Sequence, residues 1–267
     1  MTHEIGIDRE HGVVTKRFRS WARNEPAREW AALRLLAGFA PGLAPRPVSA
    51  SLDGEPPEIR MSWLPGEPLG TGPVSPQQAQ ALAGSLDLLW RSVPFSRLAQ
   101  LPTGQSNPEA FTGQVRQTLA AGHYLGSDPV VRRAAAAAAA WLERGAIGRP
   151  ELAGSVTVFG HGDANLGNFL WDGRRVRLVD FEDSSPSERA FELAILVEHL
   201  WSDARLDADA FVARFELAAA ERARLAQFRR LAALFWLLHL RPGGRASRRN
   251  PPGTLRRQAE RLLALLG

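Results

Sequence analysis

Residues 158–183, VFGHGDANLGNFLWDGRRVRLVDFED, constrain this chain more than any other stretch. They set three residues able to bind metal or handle protons, Asp163, Asn168 and Asp180, at fixed spacing between apolar runs. Residues 156–159 lead into Gly160-His161-Gly162-Asp163. The short runs 169–171 and 176–179 flank Asp172-Gly173, a dipeptide that favours a hairpin turn. If the two arms pair about that turn, Asn168, just before one arm, and Asp180, just after the other, come to lie side by side at its open end. An amide oxygen and a carboxylate are hard ligands suited to Mg²⁺, which is usually shared with substrate phosphates rather than caged by protein alone. Asp163 sits five residues before Asn168, on the loop feeding the same end.

This pattern resembles the catalytic and metal-binding segment of the protein-kinase-like superfamily, in which His-x-Asp, four residues and Asn precede an Asp-Phe-x on the next hairpin. The small-molecule branch is the better match. His161-Gly162-Asp163 is similar to the His-Gly-Asp of aminoglycoside phosphotransferases and choline kinases, and Asp180-Phe181-Glu182 carries an acid where protein kinases carry Gly. The resemblance implies an α+β, bilobal protein-kinase-like fold. It also implies an ATP- or GTP-dependent transfer of the γ-phosphate to a small-molecule hydroxyl, assisted by Mg²⁺. In that scheme Asp163 is the catalytic base and Asn168 with Asp180 holds the metal. His161 is expected to brace the loop. Glu182 and Asp183 are left between metal binding, turn capping and substrate contact, and Glu192 between loop orientation and a solvated helix position.

The composition narrows the alternatives. At 267 residues, 45% of them hydrophobic, the chain is long enough to bury a sizeable core. It has no Cys, so disulfides and thiolate chemistry are excluded and a structural zinc site is disfavoured. No apolar run is long enough to span a bilayer and the N-terminus has no secretory apolar core, which makes a cytoplasmic location the default and leaves no role for a membrane. The net charge of +5 and a pI near 10.9 raise nucleic acid as a partner. However, the excess lies in scattered Arg and in a C-terminal group (Arg241, Arg245, Arg248, Arg249, Arg256, Arg257, Arg261) without interleaved aromatics. A solvated basic face is the expectation, with no nucleic acid bound.

Of the 33 basic residues, Lys16 is the single Lys. It lies on a β-run, residues 13–18, ahead of a helix from about Pro26 that carries Glu29 and Trp30, Leu33, Leu36 and Phe39 at helical spacing. Within the resemblance, Lys16 and Glu29 match the strand Lys that holds the nucleotide's phosphates and the helix Glu that positions it, with Glu25 a competitor for the second role. Residues 58–64 form a strand-like run before Pro65-Gly66, similar to the family's inter-lobe connector. Backbone groups around Ser62, Trp63 and Leu64 are expected to face the adenine while Met61 and Trp63 pack on it. Only fifteen residues precede Lys16, room for one strand, so the phosphate-covering glycine-rich loop is expected to be shortened or absent; a start assigned too far downstream would give the same pattern. This shortening supports a second reading, a nucleotide-binding protein with weak or no catalysis.

The expected organisation is a nucleotide-binding lobe over residues 1–64, a connector over 65–74 and a helical lobe over 75–267. Ser75-Pro76, Asn107-Pro108 and Asp128-Pro129 each supply an N-cap followed by Pro. Ser187 or a neighbour is expected to cap a helix carrying Phe191 and Leu193, and further helical patterns cover 208–220, 221–240 and 255–266. The acceptor is a hydroxyl-bearing small molecule, with aminoglycosides and amino alcohols such as choline as candidates. A polycation would use acids from the set Glu188, Glu192, Glu198, Asp203, Asp207 and Asp209. Choline would use Trp201, Phe235 and Trp236.

Overall fold

In the computed structural model, residues 3–101, 104, 106–145, 156–200, 202 and 205–267 are described. Strands β1 (His3–Asp8) and β2 (Val13–Phe18) are followed by helix α1 (Glu25–Phe39) and by strands β3 (Pro47–Ser51) and β4 (Glu58–Ser62). These form one antiparallel sheet in the order β1-β2-β4-β3. Ile5 faces Lys16 and Lys16 faces Ile59, so the Lys strand has a neighbour on each side. α1 packs on β3 and β4 through Ala32, Leu33 and Leu36, all buried. β3 was not expected: PVSAS is short, offers only Val48 and Ala50 as an apolar alternation, and is a strand through its pairing with β4.

β5 (Glu67–Pro68) leads to helices α2 (Pro76–Ser92), α3 (Phe95–Leu98), α4 (Pro108–Ala120) and α5 (Pro129–Glu143). The three Pro-initiated helices start where their caps predict. The Ser75 side chain accepts from the Gln78 N–H within a capping box, Asn107 accepts from Ala110, and Asp128 accepts from Val130. β6 (Thr157–Gly160) and the hairpin β7 (Phe169–Trp171) and β8 (Val176–Leu178) come next, then β9 (Ser185–Glu188), α6 (Arg189–Val197), α7 (Ala208–Val212), α8 (Ala219–His239), α9 (Arg245–Arg249) and α10 (Thr254–Leu266). Two local expectations are corrected. Ser187 lies in β9 opposite Val158 of β6, so α6 begins at Glu188 with no side-chain cap. The helical pattern over 208–220 breaks after Val212, because the backbone turns at 213–215 before α8 restarts from Ala218.

The helical core forms around α8, which packs on α6, α4, α5 and α10, with Leu231, Ala233, Leu234 and Leu237 fully buried. Among the described residues no helix is long and apolar enough to cross a membrane. The C-terminal Arg residues divide. Arg261 reaches back to Glu198 at 2.7 Å and Arg256 to Glu260 and Asp128, while α9, which carries Arg245, Arg248 and Arg249, has no buried residue.

Candidate functional site

The hairpin forms in the expected register, Phe169 opposite Leu178 and Trp171 opposite Val176. Asp172 closes the turn by accepting from the N–H groups of Arg174 and Arg175. At the open end, the Val179 N–H donates to the Asn168 carbonyl at 3.0 Å, which extends the pairing one step and delivers Asp180 beside Asn168. Asp180 itself takes a left-handed backbone with φ 68°, a conformation Asp tolerates better than most residues. It turns the chain out of the strand direction.

The loop before the hairpin is set by buried polar contacts. His161 is 2% exposed. Its Nδ1 accepts from the Asp163 N–H at 3.3 Å, so Nε2 is the protonated nitrogen and donates to the Val179 carbonyl at 2.9 Å. The ring also packs against Phe181 and Phe169. The bracing position expected for His161 is the one it occupies. Glu192, buried on α6, accepts from the N–H groups of His161 and Gly162 at 3.0 and 3.4 Å, which excludes a solvated position. Burial holds its carboxyl above the usual range, opposed by the hydroxyl of Ser187 and by His161. The two glycines here are steric necessities. A Cβ at Gly160 would strike the Glu192 carboxylate, and one at Gly162, where φ is +80°, would strike the Asp183 carbonyl.

Asp163 is thus presented with both oxygens engaged. Oδ1 accepts from the Asn165 N–H at 3.1 Å and Oδ2 from Asn168 Nδ2 at 2.9 Å. The second bond commits the Asn168 amide nitrogen and leaves its carbonyl oxygen as the end available to a cation.

Lys16 is 2% exposed and sits among three carboxylates: Glu29 at 2.5 Å, Asp180 at 2.6 Å and Glu182 at 2.8 Å. Burial alone would depress the ammonium's pKa, but Glu29, Asp180 and Glu182 outweigh it and hold it above the usual Lys value. Burial pushes Glu29 the other way, up to about 7, against the attraction of Lys16. Glu182, where burial is overcome by His3 and Lys16, falls to about 2. Three acids around one ammonium leave the pocket short of positive charge. Glu25 does not compete for Lys16, because its carboxylate is taken by the backbone and side chain of Arg23. Sequence reasoning missed two further ties to the 180–183 segment, from Arg28 of α1, Nη1 to the Glu182 carbonyl at 2.8 Å, and from Arg23 just ahead of α1, Nη1 to Asp183 at 3.2 Å. Their signal in the sequence is faint: two Arg among 32, distinguished only by lying around the start of α1.

All the nucleotide-site candidates, Lys16, Glu29, Met61, Ser62, Trp63 and Leu64, line one cavity of about 670 Å³ together with Asn168 and Asp180. One detail differs from expectation. The Ser62 N–H donates to the Arg46 carbonyl and the Trp63 N–H to the Gly12 carbonyl, at 2.8 and 2.7 Å. Both amides are engaged in closing the sheet, so of the three only that of Leu64 has no such bond. Asp163 lines a second cavity of about 260 Å³. Asp163, lining the smaller cavity, accepts from Asn168, which lines the larger one.

In that second cavity His199 stands with its ring edge-on to Trp236 at 4.8 Å. Burial lowers its pKa to about 4, against a smaller opposing pull from Asp163. The folded imidazole therefore stays neutral between pH 6.5 and 4, where the unfolded one takes a proton, and its contribution to stability is lost as pH falls through that window. His199→Leu is expected to flatten the curve there. The acid-side loss of unfolding free energy attributable to the imidazole, about 3 kcal/mol, appears as the difference between urea titrations of the two proteins at pH 7.5 and pH 4.5. Parallel curves would exclude the effect.

Comparison with known proteins agrees with this fold. The model of the phosphotransferase enzyme family matches residues 4–234. No curated protein matches the chain significantly. Among solved structures, a choline/ethanolamine kinase family protein from Mesorhizobium loti is 18% identical and superposes with a TM-score of 0.65 over 99% of this chain and 84% of its own. Aminoglycoside 2'-phosphotransferase-IIIa, solved with GDP, is 16% identical with a TM-score of 0.66 over 100% and 89%. The choline kinase LicA from Streptococcus pneumoniae is 15% identical with a TM-score of 0.61 over 99% and 89%. Matched along most of its length by the family model, and sharing the kinase-like fold of these proteins, the chain belongs to the phosphotransferase enzyme family.

Proposed function

We propose that the protein transfers the γ-phosphate of ATP or GTP to a hydroxyl of a small molecule, and the single observation that carries this is the hydrogen bond from Asn168 Nδ2 to Asp163, which joins a residue lining the larger cavity to one lining the smaller. The division of labour follows the sequence expectation, with residues 1–64 and the connector 65–74 seating the nucleotide and residues 75–267 supplying the catalytic loop and the acceptor site. Phosphoryl transfer asks a protein to align reactants and neutralise charge more than to form bonds itself. Lys16, held by Glu29, draws the α- and β-phosphates into line. Met61, Trp63 and Leu64 form the wall for the base, with the Leu64 amide as its hydrogen-bond donor. That aminoglycoside 2'-phosphotransferase-IIIa was solved with GDP supports a nucleotide in the larger cavity.

Mg²⁺ fits the residues present. Asn168 offers a carbonyl oxygen, Asp180 a carboxylate, and the surplus of acid around Lys16 favours a further cation. When bound, the ion supplies charge neutralisation on the phosphates. Lys16 is paired to Asp180 at 2.6 Å in this structure, and phosphates entering the cavity give the ammonium an alternative partner, freeing that carboxylate for the metal. Asp163 takes a hydrogen bond from the acceptor hydroxyl and receives its proton late in transfer. The Asn168 amide keeps the carboxylate turned to that task.

A second reading, a nucleotide-binding protein with little catalysis, rests on the pairing of Asp180 with Lys16 at 2.6 Å, which occupies the carboxylate a metal would need. One experiment separates the two. Release of nucleoside diphosphate from Mg·ATP and from Mg·GTP is measured with and without a panel of hydroxyl acceptors, alongside nucleotide affinity. Acceptor-stimulated release that disappears in Asp163→Asn supports the kinase; affinity without any Asp163-dependent release supports the binder. Failure to bind either nucleotide sinks both.

A further inference from the structure

Five of the six acids that the sequence offers to a cationic acceptor are, in the folded chain, committed elsewhere. Glu188 is bidentate with Arg224 at 2.8 Å. Glu198 is shared by Arg229 and Arg261 at 2.6 and 2.7 Å. Asp209 binds Arg229, Asp207 caps α7, and Glu192 holds the backbone of the catalytic loop. Trp201 and Asp203 lie outside the described residues. Among the described residues, the only carboxylate lining the 260 Å³ cavity is Asp163 itself, and the cavity's other charged group is the guanidinium of Arg23.

What the cavity offers instead is ring surface. Phe111, Phe235 and Trp236 contribute partly exposed faces or edges. They are locked against one another, Phe111 to Phe235 at 4.7 Å and Phe235 to Trp236 at 5.2 Å between centroids. Phe191 backs Phe111 from the buried side. His199 adds a fourth ring, and because its imidazole is neutral above pH 4 it adds no charge. A wall of mutually packed rings presents little conformational freedom to lose on binding, and it rewards a flat apolar body.

We propose that the acceptor is a compact, uncharged alcohol whose apolar, ring-sized body lies against Phe111, Phe235 and Trp236 with its hydroxyl at Asp163, and not a polycation. This rests on the phosphotransferase reading above. Among the described residues, an amino group brought into the cavity would find no lining carboxylate beyond the one occupied with the reacting hydroxyl, and the guanidinium there, Arg23, is already paired with Glu25 and Asp183. In the step itself, the acceptor oxygen bonds to the γ-phosphorus as the bond from that phosphorus to the β,γ-bridging oxygen breaks. The hydroxyl proton passes to Asp163, and the nucleoside diphosphate leaves.

The test uses the full chain with Mg·ATP or Mg·GTP and three probes: 2-phenylethanol, choline and kanamycin. Phosphate-ester formation is followed by ³¹P NMR, and nucleotide affinity is measured separately. The expected result is ester formation from 2-phenylethanol at least about 10-fold above that from either cation, each tenfold being one decade of specificity. Phe235→Ala and Trp236→Ala are expected to lower kcat/KM for the alcohol at least about 10-fold by removing ring contact, without altering nucleotide affinity. Preference for choline or kanamycin overturns the inference and leaves the kinase reading standing. So does nucleotide turnover that no ring alcohol stimulates. Loss of nucleotide binding in the unsubstituted protein overturns the kinase reading and the inference with it.

Discussion

Asp163→Asn is expected to reduce acceptor-dependent turnover by about 10²–10⁴-fold, the range associated with removal of a positioned general base, with nucleotide affinity unchanged. The reason lies in what the carboxylate touches. Both of its oxygens accept from protein donors, the Asn165 amide and Asn168 Nδ2. An amide in its place keeps the shape but must turn an NH₂ toward one of those donors, so one hydrogen bond is lost as well as the charge that receives the proton. The nucleotide's wall, on β2, β4 and the connector, is untouched. Single-turnover measurements with bound nucleotide separate the two effects. Unchanged turnover would remove Asp163 from the reaction; a large drop in affinity would mean that Asn168 had lost its orientation and that the effect is structural.

Lys16→Met is expected to be the most destabilising single substitution in the nucleotide cavity. It takes the ammonium away from Glu29, at 1% exposure, and from Asp180 and Glu182, of which Glu182 keeps His3, and stranding buried charge by removing one partner typically costs about 3–5 kcal/mol. The sign with pH is distinctive. Without the ammonium, burial holds the folded-state pKa of Glu29 further above its unfolded value, so the variant recovers stability as pH falls toward 5 and loses it as pH rises through 7. Urea titrations at the two pH values read this directly. The double variant Lys16→Met/Glu29→Gln, which removes the deepest of the stranded charges, is expected to regain part of the loss. If Lys16→Met costs less than about 1 kcal/mol, the value of a surface ion pair, then the cluster does not act as a buried unit.

These two predictions depend on features that the sequence exposed to different degrees. The hairpin at 169–178 was legible because its turn dipeptide, its two apolar arms and the polar residues at its mouth are local, and local spacing survives folding. The caps at Ser75, Asn107 and Asp128 were legible for the same reason. Lys16 drew notice as the single Lys in the chain, and its pairing with Glu29 follows from strand and helix succession. β3 and β9 escaped notice because they are short and carry few apolar residues; each is a strand through the hydrogen bonds of a partner strand, β4 or β6.

The acceptor site shows the limit most clearly. In the sequence, Glu188, Glu198 and Asp209 are acids on helices near the catalytic segment, indistinguishable from substrate ligands. The partners that neutralise them, Arg224, Arg229 and Arg261, lie 20 to 63 residues away, and nothing in the spacing announces the pairing. The same holds for Glu182, whose role as the third carboxylate on Lys16 spans the whole distance between strand and hairpin. The sequence alone determined the hairpin and the loop before it, the succession of strand and helix that pairs Lys16 with Glu29 and the kinase-like class of the fold, because each is carried by short-range pattern. Which acids are free, which amides remain open at the connector and which rings face the cavity were decided only by tertiary structure, since charge pairing and burial are properties of neighbours in space.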